Sequence, residues 1–330
     1  VFAGGNEFVC NYRFRQPLFG GEQYHYGIIG PDGRTIRPSG KEYVKAIEEF
    51  EMLRDAYEPG AKMPEAHQAR RTAILYNPDN RWETENQPQT DQWDFMGHIK
   101  KYHGILKSFG APVDIIDESK EFQDYPVLIA PAYQLLDKDL VDRWRRYVEQ
   151  GGQLILTSRT GQKDRTGQLW ADAFGGPIHD LAGIDSLFYD HLPSEMMAKA
   201  RFGEATYEWN NWADVIEPRA GVEVLATYAD QFYVGKAAVT RRKLGEGSVT
   251  YIGPDTDDGM LERQTLKSIY DLLGIALLDL PEGLTVEWSK GFWVAMNYSS
   301  ETRQAPVPVG AEVLIGSGEL QPAGVVVWKD

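Results

Sequence analysis

The sequence is poor in the residues that several functional classes require. Cys10 is the only cysteine among 330 residues, which excludes an intrachain disulfide and a zinc site built from several thiolates. Lys and Arg total 34 against 49 Asp and Glu, so the formal net charge is −15. Because so acidic a surface repels phosphate backbones and anionic lipid, we expect neither nucleic acid nor a membrane as a partner. No apolar run reaches the roughly 20 residues that span a bilayer.

The nucleotide-binding and nucleophile motifs of α/β enzymes are also missing. The turn Asn77-Pro78-Asp79-Asn80-Arg81 follows an apolar strand but has no glycine that would let the backbone approach a pyrophosphate. Neither a P-loop nor a Gly-x-Ser-x-Gly elbow occurs. The strand-to-helix turns at 130–133 and 157–160 carry no thiol, which a cysteine amidotransferase needs. The sequence therefore predicts an α/β scaffold or assembly domain that holds no cofactor.

The first residues run directly into an apolar segment. From Val1 to Tyr12 there is no basic region and no small-residue cleavage site of a signal peptide. We predict a buried strand over residues 8–14, which needs neighbouring strands on both sides. We therefore expect this chain to be the C-terminal part of a longer protein, the alternative being a trimmed or disordered start. We expect a cytoplasmic location, with the periplasm as the alternative.

Three patterns divide the chain. Residues 1–60 predict a strand, a loop and a helix over 41–57 that ends at Pro59-Gly60. Residues 61–280 alternate apolar strands with amphipathic helices, which favours a doubly wound, flavodoxin-like α/β domain with a long insertion. Residues 281–330 have short β runs between glycine and serine turns, which indicates a small antiparallel β domain.

The strongest candidates for chemistry lie near the start of the chain. In an extended strand, Tyr12 and Arg13 would face opposite sides. Glu22 and His25 come together if their segment forms one helical turn. A carboxylate, an imidazole and an aromatic ring together are suited to sugar hydroxyls and the apolar face of a sugar. The alternatives are half of a Glu-x-x-His metal site, whose second half is missing, and a solvated acid beside a structural histidine.

Two further segments attract attention. The aromatic cluster Tyr207-Glu208-Trp209-Asn210-Asn211-Trp212 looks exposed, and Trp209 and Trp212 are candidates for a carbohydrate groove or a subunit contact, the alternative being a cap on the core. The run Asp255-Thr256-Asp257-Asp258-Gly259 lacks the later glutamate of an EF-hand, so Asp258 is interpreted as a helix cap. We predict no metal site.

Several segments together resemble family 42 of the glycoside hydrolases, the β-galactosidases. The run RFRQPLFGGEQYHYG (13–27) is similar to the last barrel strand and loop of that family. The runs TGQKD (160–164), GPIHDLAGI (176–184), VLATY (224–228), GKAAVTR (235–241) and GEG (245–247) resemble its trimerisation domain. Ala237 stands where the family usually has proline. The closing β region resembles the small C-terminal domain of the family.

The resemblance implies a (β/α)8 barrel that hydrolyses terminal β-D-galactosides with retention through two glutamates. Residues 1–60 would be the last strand and helix of that barrel, 61–280 the trimerisation domain and 281–330 the β domain. Both glutamates would lie on earlier barrel strands, so no catalytic residue is assigned in this chain. Glu22 and His25 would hold galactose hydroxyls, and Tyr12 would line the pocket.

The resemblance also implies a homotrimer. It further implies a missing N-terminal portion that completes the barrel. Two alternatives stay open. One is a non-catalytic sugar-binding or oligomerisation protein derived from such an enzyme. The other is the same enzyme class acting on arabinopyranosides or algal galactans.

Overall fold

The computed structural model describes residues 2–6, 8–171 and 175–330. The chain divides into two compact units, one formed by Val1–Glu65 with Leu280–Asp330 and the other by Ala66–Asp279. Within these described ranges, no helix is both long enough and apolar enough to cross a bilayer.

The described residues that precede α1 fold mainly as loops. The strand predicted over residues 8–14 is wrong: the structure assigns none there, and Arg15 pairs with Ile29 through an isolated bridge. The reason is that the described residues offer this segment no continuous neighbouring strand, and Phe8 stays 83% exposed. The helix predicted over 41–57 is confirmed as α1 (Pro38–Leu53), which begins at a proline and ends four residues earlier than expected.

Strands and helices alternate through the first half of the larger unit, as predicted. The helices are α2 (Glu65–Gln68), α3 (Pro78–Asn86), α4 (Phe95–Ser108), α5 (Lys138–Glu149), α6 (Ile178–Ala182) and α7 (Met260–Leu272). The strands are β1 (Thr72–Leu75), β2 (Val113–Ile116), β3 (Val127–Ala130), β4 (Leu135–Leu136), β5 (Gln153–Thr157), β6 (Lys163–Asp164), β7 (Ile184–Asp190), β8 (Ala198–Phe202), β9 (Ala205–Trp209), β10 (Trp212–Pro218), β11 (Glu223–Tyr228), β12 (Ala237–Leu244), β13 (Gly247–Ile252) and β14 (Pro254–Asp255).

The main sheet has a parallel half and an antiparallel half. The parallel half runs in the order β2-β1-β3-β5-β13, and the antiparallel strands β12, β11, β8 and β9 continue it. Strand β10 pairs with β12, β14 and β7. The predicted α/β sheet is confirmed, and the predicted insertion supplies the antiparallel strands β7 to β10.

Apolar cores cover both faces of the parallel strands. Ile129 and Ile155 face one core with residues of α4 and α7, whereas Leu128 and Leu154 face the other core with Trp144 of α5. Successive residues of a strand point to opposite faces, so a strand between two helical layers is buried throughout, as β3 and β5 are.

The smaller unit ends in the predicted antiparallel β region. Its strands are β15 (Leu284–Ser289), β16 (Phe292–Asn297), β17 (Arg303–Gln304), β18 (Glu312–Ile315), β19 (Glu319–Leu320) and β20 (Val325–Lys329). Four of them form a sheet in the order β15-β16-β20-β18, and β17 pairs with β19. Phe292 and Val327 pack in one apolar cluster with Leu53 of α1 and Ala3. The sheet therefore shares a core with the N-terminal segment of this unit.

The start of β13 has no room for a side chain. A Cβ at Gly247 would lie 2.1 Å from the carbonyl oxygen of Gly152 and 2.4 Å from that of Val148. We expect Gly247→Ala to lower the free energy of unfolding by about 3 kcal/mol, because α5 would have to move away from the sheet. Gly104→Ala is the matched control, since nothing lies within 4 Å of its Cβ. It should raise the free energy of unfolding by roughly 1 kcal/mol, because alanine favours a helix interior. Urea denaturation measures both, and equal stability of the two variants would contradict the packing.

Candidate functional site

Two of the three predicted site residues, Tyr12 and Glu22, are in direct contact, and Arg13 binds the same oxygen of Glu22. The Tyr12 hydroxyl donates to Glu22 Oε2 at 2.7 Å, and Arg13 Nη1 donates to the same oxygen at 3.1 Å. The Arg13 guanidinium also lies over the Tyr12 ring, 4.8 Å from its centroid. The expectation that Tyr12 and Arg13 face opposite sides is therefore wrong, because strand alternation does not apply where no strand forms.

Side-chain amides close the loop that carries Glu22. Gln16 Nε2 donates to the carbonyl of Gln23 at 2.8 Å, and Gln23 Nε2 donates to the carbonyl of Leu18 at 2.7 Å. Arg37 Nη2 in turn donates to Gln16 Oε1 at 3.3 Å. The loop therefore folds back on itself, so that Glu22 lies against Tyr12 and Arg13 near the start of the loop.

Glu22 and His25 lie on one turn, the condition under which their spacing would bring them together. The backbone N–H of His25 donates to the carbonyl of Glu22 at 2.9 Å. Both residues are exposed. The structure therefore brings Tyr12 into direct contact with Glu22 and places His25 one turn further along the same loop.

The loop borders a shallow cavity with mixed chemistry. Its volume is about 480 Å³, and its lining includes Arg13, Gln16 and Glu22 beside the apolar side chains of Leu18 and Phe19. Hydrogen-bonding groups next to exposed apolar side chains match the two kinds of surface on a sugar ring. The lining therefore has the hydrogen-bonding and apolar groups that a polyhydroxylated ligand requires.

The hydrogen bond to Glu22 favours the neutral form of the Tyr12 phenol. It raises the pKa of the phenol, because ionisation would place negative charge on two contacting oxygens, and Arg13 only partly opposes this effect. Tyr12 therefore stays a neutral hydrogen-bond donor at neutral pH.

The two tryptophans of the aromatic cluster belong to the core. Trp209 is 0% exposed and Trp212 is 1% exposed. Trp209 packs edge-on against Tyr228, and Trp212 stacks on Tyr189 with ring centroids 4.5 Å apart. The prediction of a carbohydrate groove or subunit contact is therefore wrong for both residues, and the alternative of a core cap is confirmed.

Sequence analysis missed a buried polar cluster beside the ends of β5 and β13. Asp255 Oδ1 lies 2.7 Å from His98 Nδ1 and also accepts from Lys101 Nζ, while Asn211 Nδ2 donates to Asp255 Oδ2 at 2.8 Å. Lys101 pairs as well with Glu262 Oε1 at 3.0 Å. The spacing of His98 and Lys101 on one face of α4 is the signal that could have paired these two residues in advance.

The charges of this cluster compensate one another. Burial alone would raise the pKa of Asp255, but the His98 imidazole and the Lys101 ammonium outweigh it and hold the pKa well below its usual range. Burial alone would lower the pKa of Lys101, but Glu262 and Asp255 raise it. The cluster is therefore a closed ion network in which each charge has a partner.

The turn at 157–160, which follows β5, carries the buried cation Arg159. Arg159 has a φ of 68°, and its guanidinium lies between the rings of Trp93 and Trp212, 4.6 Å from each centroid. It donates to the carbonyls of Gln87 at 2.9 Å and Pro88 at 2.8 Å. Burial lowers the pKa of Arg159 to about 10, which leaves it charged at neutral pH.

In the part of the chain that the structure describes, no group of three or more His, Cys, Asp or Glu side chains could hold a metal ion.

Comparison with protein-family models assigns almost the whole chain to one class, the β-galactosidases. The model of the β-galactosidase trimerisation domain matches residues 70–275, that of the β-galactosidase C-terminal domain 283–330, and a third β-galactosidase model 1–53. The first of these alone covers more than half of the chain. The chain therefore belongs to glycoside hydrolase family 42, the β-galactosidase family.

Individual relatives agree with this assignment. The chain is 28% identical to β-galactosidase BgaH of Haloferax lucentense, covering 96% of this chain and 46% of the relative. It is 27% identical to a β-galactosidase of Thermus thermophilus, covering 100% of this chain and 47% of the relative. Among solved structures, the β-galactosidase of the psychrophilic Marinomonas ef1 matches with a TM-score of 0.85 at 26% identity, covering 100% of this chain and 48% of that one. The chain thus spans about half the length of these relatives.

The ion network around Asp255 predicts how stability depends on pH. Because the folded-state pKa of Asp255 is depressed, its stabilising contribution is present above the unfolded pKa of about 3.9 and is lost as pH falls through the folded value. We expect Asp255→Asn to lower the free energy of unfolding by about 3–5 kcal/mol at pH 7, because the buried Lys101 ammonium loses one of its carboxylate partners. The deficit should shrink as pH falls below about 4.

Urea denaturation of the wild type and the variant between pH 3 and pH 7 measures this deficit. Asp91→Asn, at an exposed position, is the matched control and should stay close to the wild type. A deficit that is constant across this pH range would mean that Asp255 does not stabilise the fold as a carboxylate.

Proposed function

We propose that this chain is the C-terminal portion of a retaining β-galactosidase that hydrolyses terminal β-D-galactosides. The observation that carries the proposal is the match to three β-galactosidase models, which follow one another along nearly the whole chain. We propose the same three divisions as the sequence: a barrel end at 1–60, a trimerisation domain at 61–280 and a β domain at 281–330.

In the proposed enzyme, this chain completes the galactose subsite. Glu22 and His25 bind sugar hydroxyls, and Tyr12 lines the pocket. Among the described residues, the protein donors to Glu22 reach Oε2, so Oε1 is available to a sugar hydroxyl. Retention needs two carboxylates about 5–5.5 Å apart on either side of the glycosidic bond, and we place both on barrel strands outside this sequence.

The first test is hydrolysis of a chromogenic β-galactoside by the full-length protein. We expect Glu22→Ala to lower kcat/KM by about 10- to 100-fold, because one charge-assisted hydrogen bond to the sugar is lost. Glu48→Ala, at an exposed position of α1, is the control and should leave turnover unchanged. Unchanged turnover in Glu22→Ala would remove this residue from the subsite.

The same assay separates the alternatives. A full-length wild type that binds galactose without hydrolysing any glycoside would contradict the proposal and favour a sugar-binding protein. A higher kcat/KM for an arabinopyranoside than for the galactoside would retain the reaction and change the substrate.

We further propose that residues 61–280 assemble the enzyme as a homotrimer. The support is the match of the trimerisation-domain model to 70–275 within this region. Sedimentation equilibrium of the full-length protein should give three times the mass of one polypeptide. A monomer at micromolar concentration would contradict the assembly without bearing on the galactose subsite.

A further inference from the structure

Arg13 holds the Glu22 carboxylate in a defined orientation. Its guanidinium and the Tyr12 hydroxyl converge on Oε2, at 3.1 Å and 2.7 Å. Two donors on one oxygen restrict rotation of the carboxylate more than one donor does. Among the described residues, both of these donors reach Oε2, which leaves Oε1 for another donor.

The position of Arg13 is itself fixed from two sides. Its backbone carbonyl accepts a hydrogen bond from the N–H of Ile28 at 3.2 Å, and its guanidinium rests on the Tyr12 ring. Its side chain is 25% exposed, against 49% for that of Glu22. The cation is therefore in place before a ligand arrives, so little side-chain entropy remains to be lost on binding.

A bound sugar changes the environment of this ion pair. Water leaves when a sugar covers Glu22, and a carboxylate without a neighbouring cation is costly to desolvate. Tyr12 is a neutral donor and does not balance the negative charge, whereas Arg13 does. The pair interacts more strongly as the local dielectric falls, so the cation lowers the cost of covering Glu22.

We propose that Arg13 is a positioning residue for galactoside binding, which acts on the sugar through the Glu22 carboxylate that it orients. This inference rests on the function proposed above and deepens it. Arg13 lowers KM by aligning Oε1 and by balancing the charge that the bound sugar buries. It makes no contact with the reacting atoms, so it leaves kcat largely unchanged.

The test is a mutant cycle in the full-length protein, with a chromogenic β-galactoside as substrate and galactose as competitive inhibitor. Arg13→Met should raise KM and the inhibition constant of galactose roughly tenfold, with kcat within about threefold of the wild type. Arg13→Lys should recover part of the loss, because it keeps the charge but not the planar fork. Arg34→Met, an exposed arginine of the next loop, is the matched control and should change neither constant.

The decisive comparison is made in the Glu22→Ala background. There, Arg13→Met should have no further effect on galactose inhibition, because the carboxylate through which Arg13 acts is gone. The same additional loss in both backgrounds would overturn the inference, because Arg13 would then act independently of the Glu22 carboxylate. An unchanged KM in Arg13→Met would overturn it as well. A wild-type protein that hydrolyses no galactoside would instead refute the proposed function.

Discussion

Compensation of buried carboxylates is the constraint on which the larger unit depends. Asp255 and Asp214 are both buried beside the ends of β5 and β13, yet their pKa values move in opposite directions. Burial raises the pKa of Asp214, because its donors are mainly neutral: the Tyr251 hydroxyl, the Trp212 indole and a backbone N–H. Asp255 has the Lys101 ammonium and the His98 imidazole for partners, and its pKa falls. The two buried carboxylates at this edge of the sheet are thus stabilised in different ways: Asp255 mainly by neighbouring charge, and Asp214 mainly by hydrogen bonds from neutral donors.

This edge is where open α/β sheets usually bind ligands, at the carboxyl ends of the parallel strands. Here the positions are taken by side chains that bind one another. The His98–Asp255–Lys101 network lies here, and the Arg159 guanidinium lies between two indole rings and donates to two backbone carbonyls. Charged groups that already have protein partners offer little to a substrate. The geometry therefore agrees with the interpretation of this domain as a scaffold, and it directs attention to the loop that carries Glu22.

Sequence pattern predicted what depends on local spacing. The parallel strands and α1 followed from periodicity. It failed where a distant partner decides the outcome. The partner of His98 lies 157 positions along the chain, so no local pattern reveals it. Trp212 looked exposed because its stacking partner, Tyr189, is brought to it only by pairing of β7 with β10. Alternation along 8–14 failed for the same reason, since a strand exists only beside another strand.

The Glu22 loop differs from the rest of the chain in how it is held. The hydrogen bonds that close the loop come from Gln16, Gln23 and Arg37. The Glu22 carboxylate is oriented by Tyr12 and Arg13, which belong to the same part of the sequence, residues 12–37. The contacts that orient Glu22 thus join residues 12–37 to one another. In the proposed enzyme, the hydrolytic carboxylates belong to another part of the polypeptide. Sugar binding by this loop and bond cleavage are then supplied by separate segments. We therefore expect a change in this loop to alter the affinity for the galactoside more than the rate of its cleavage.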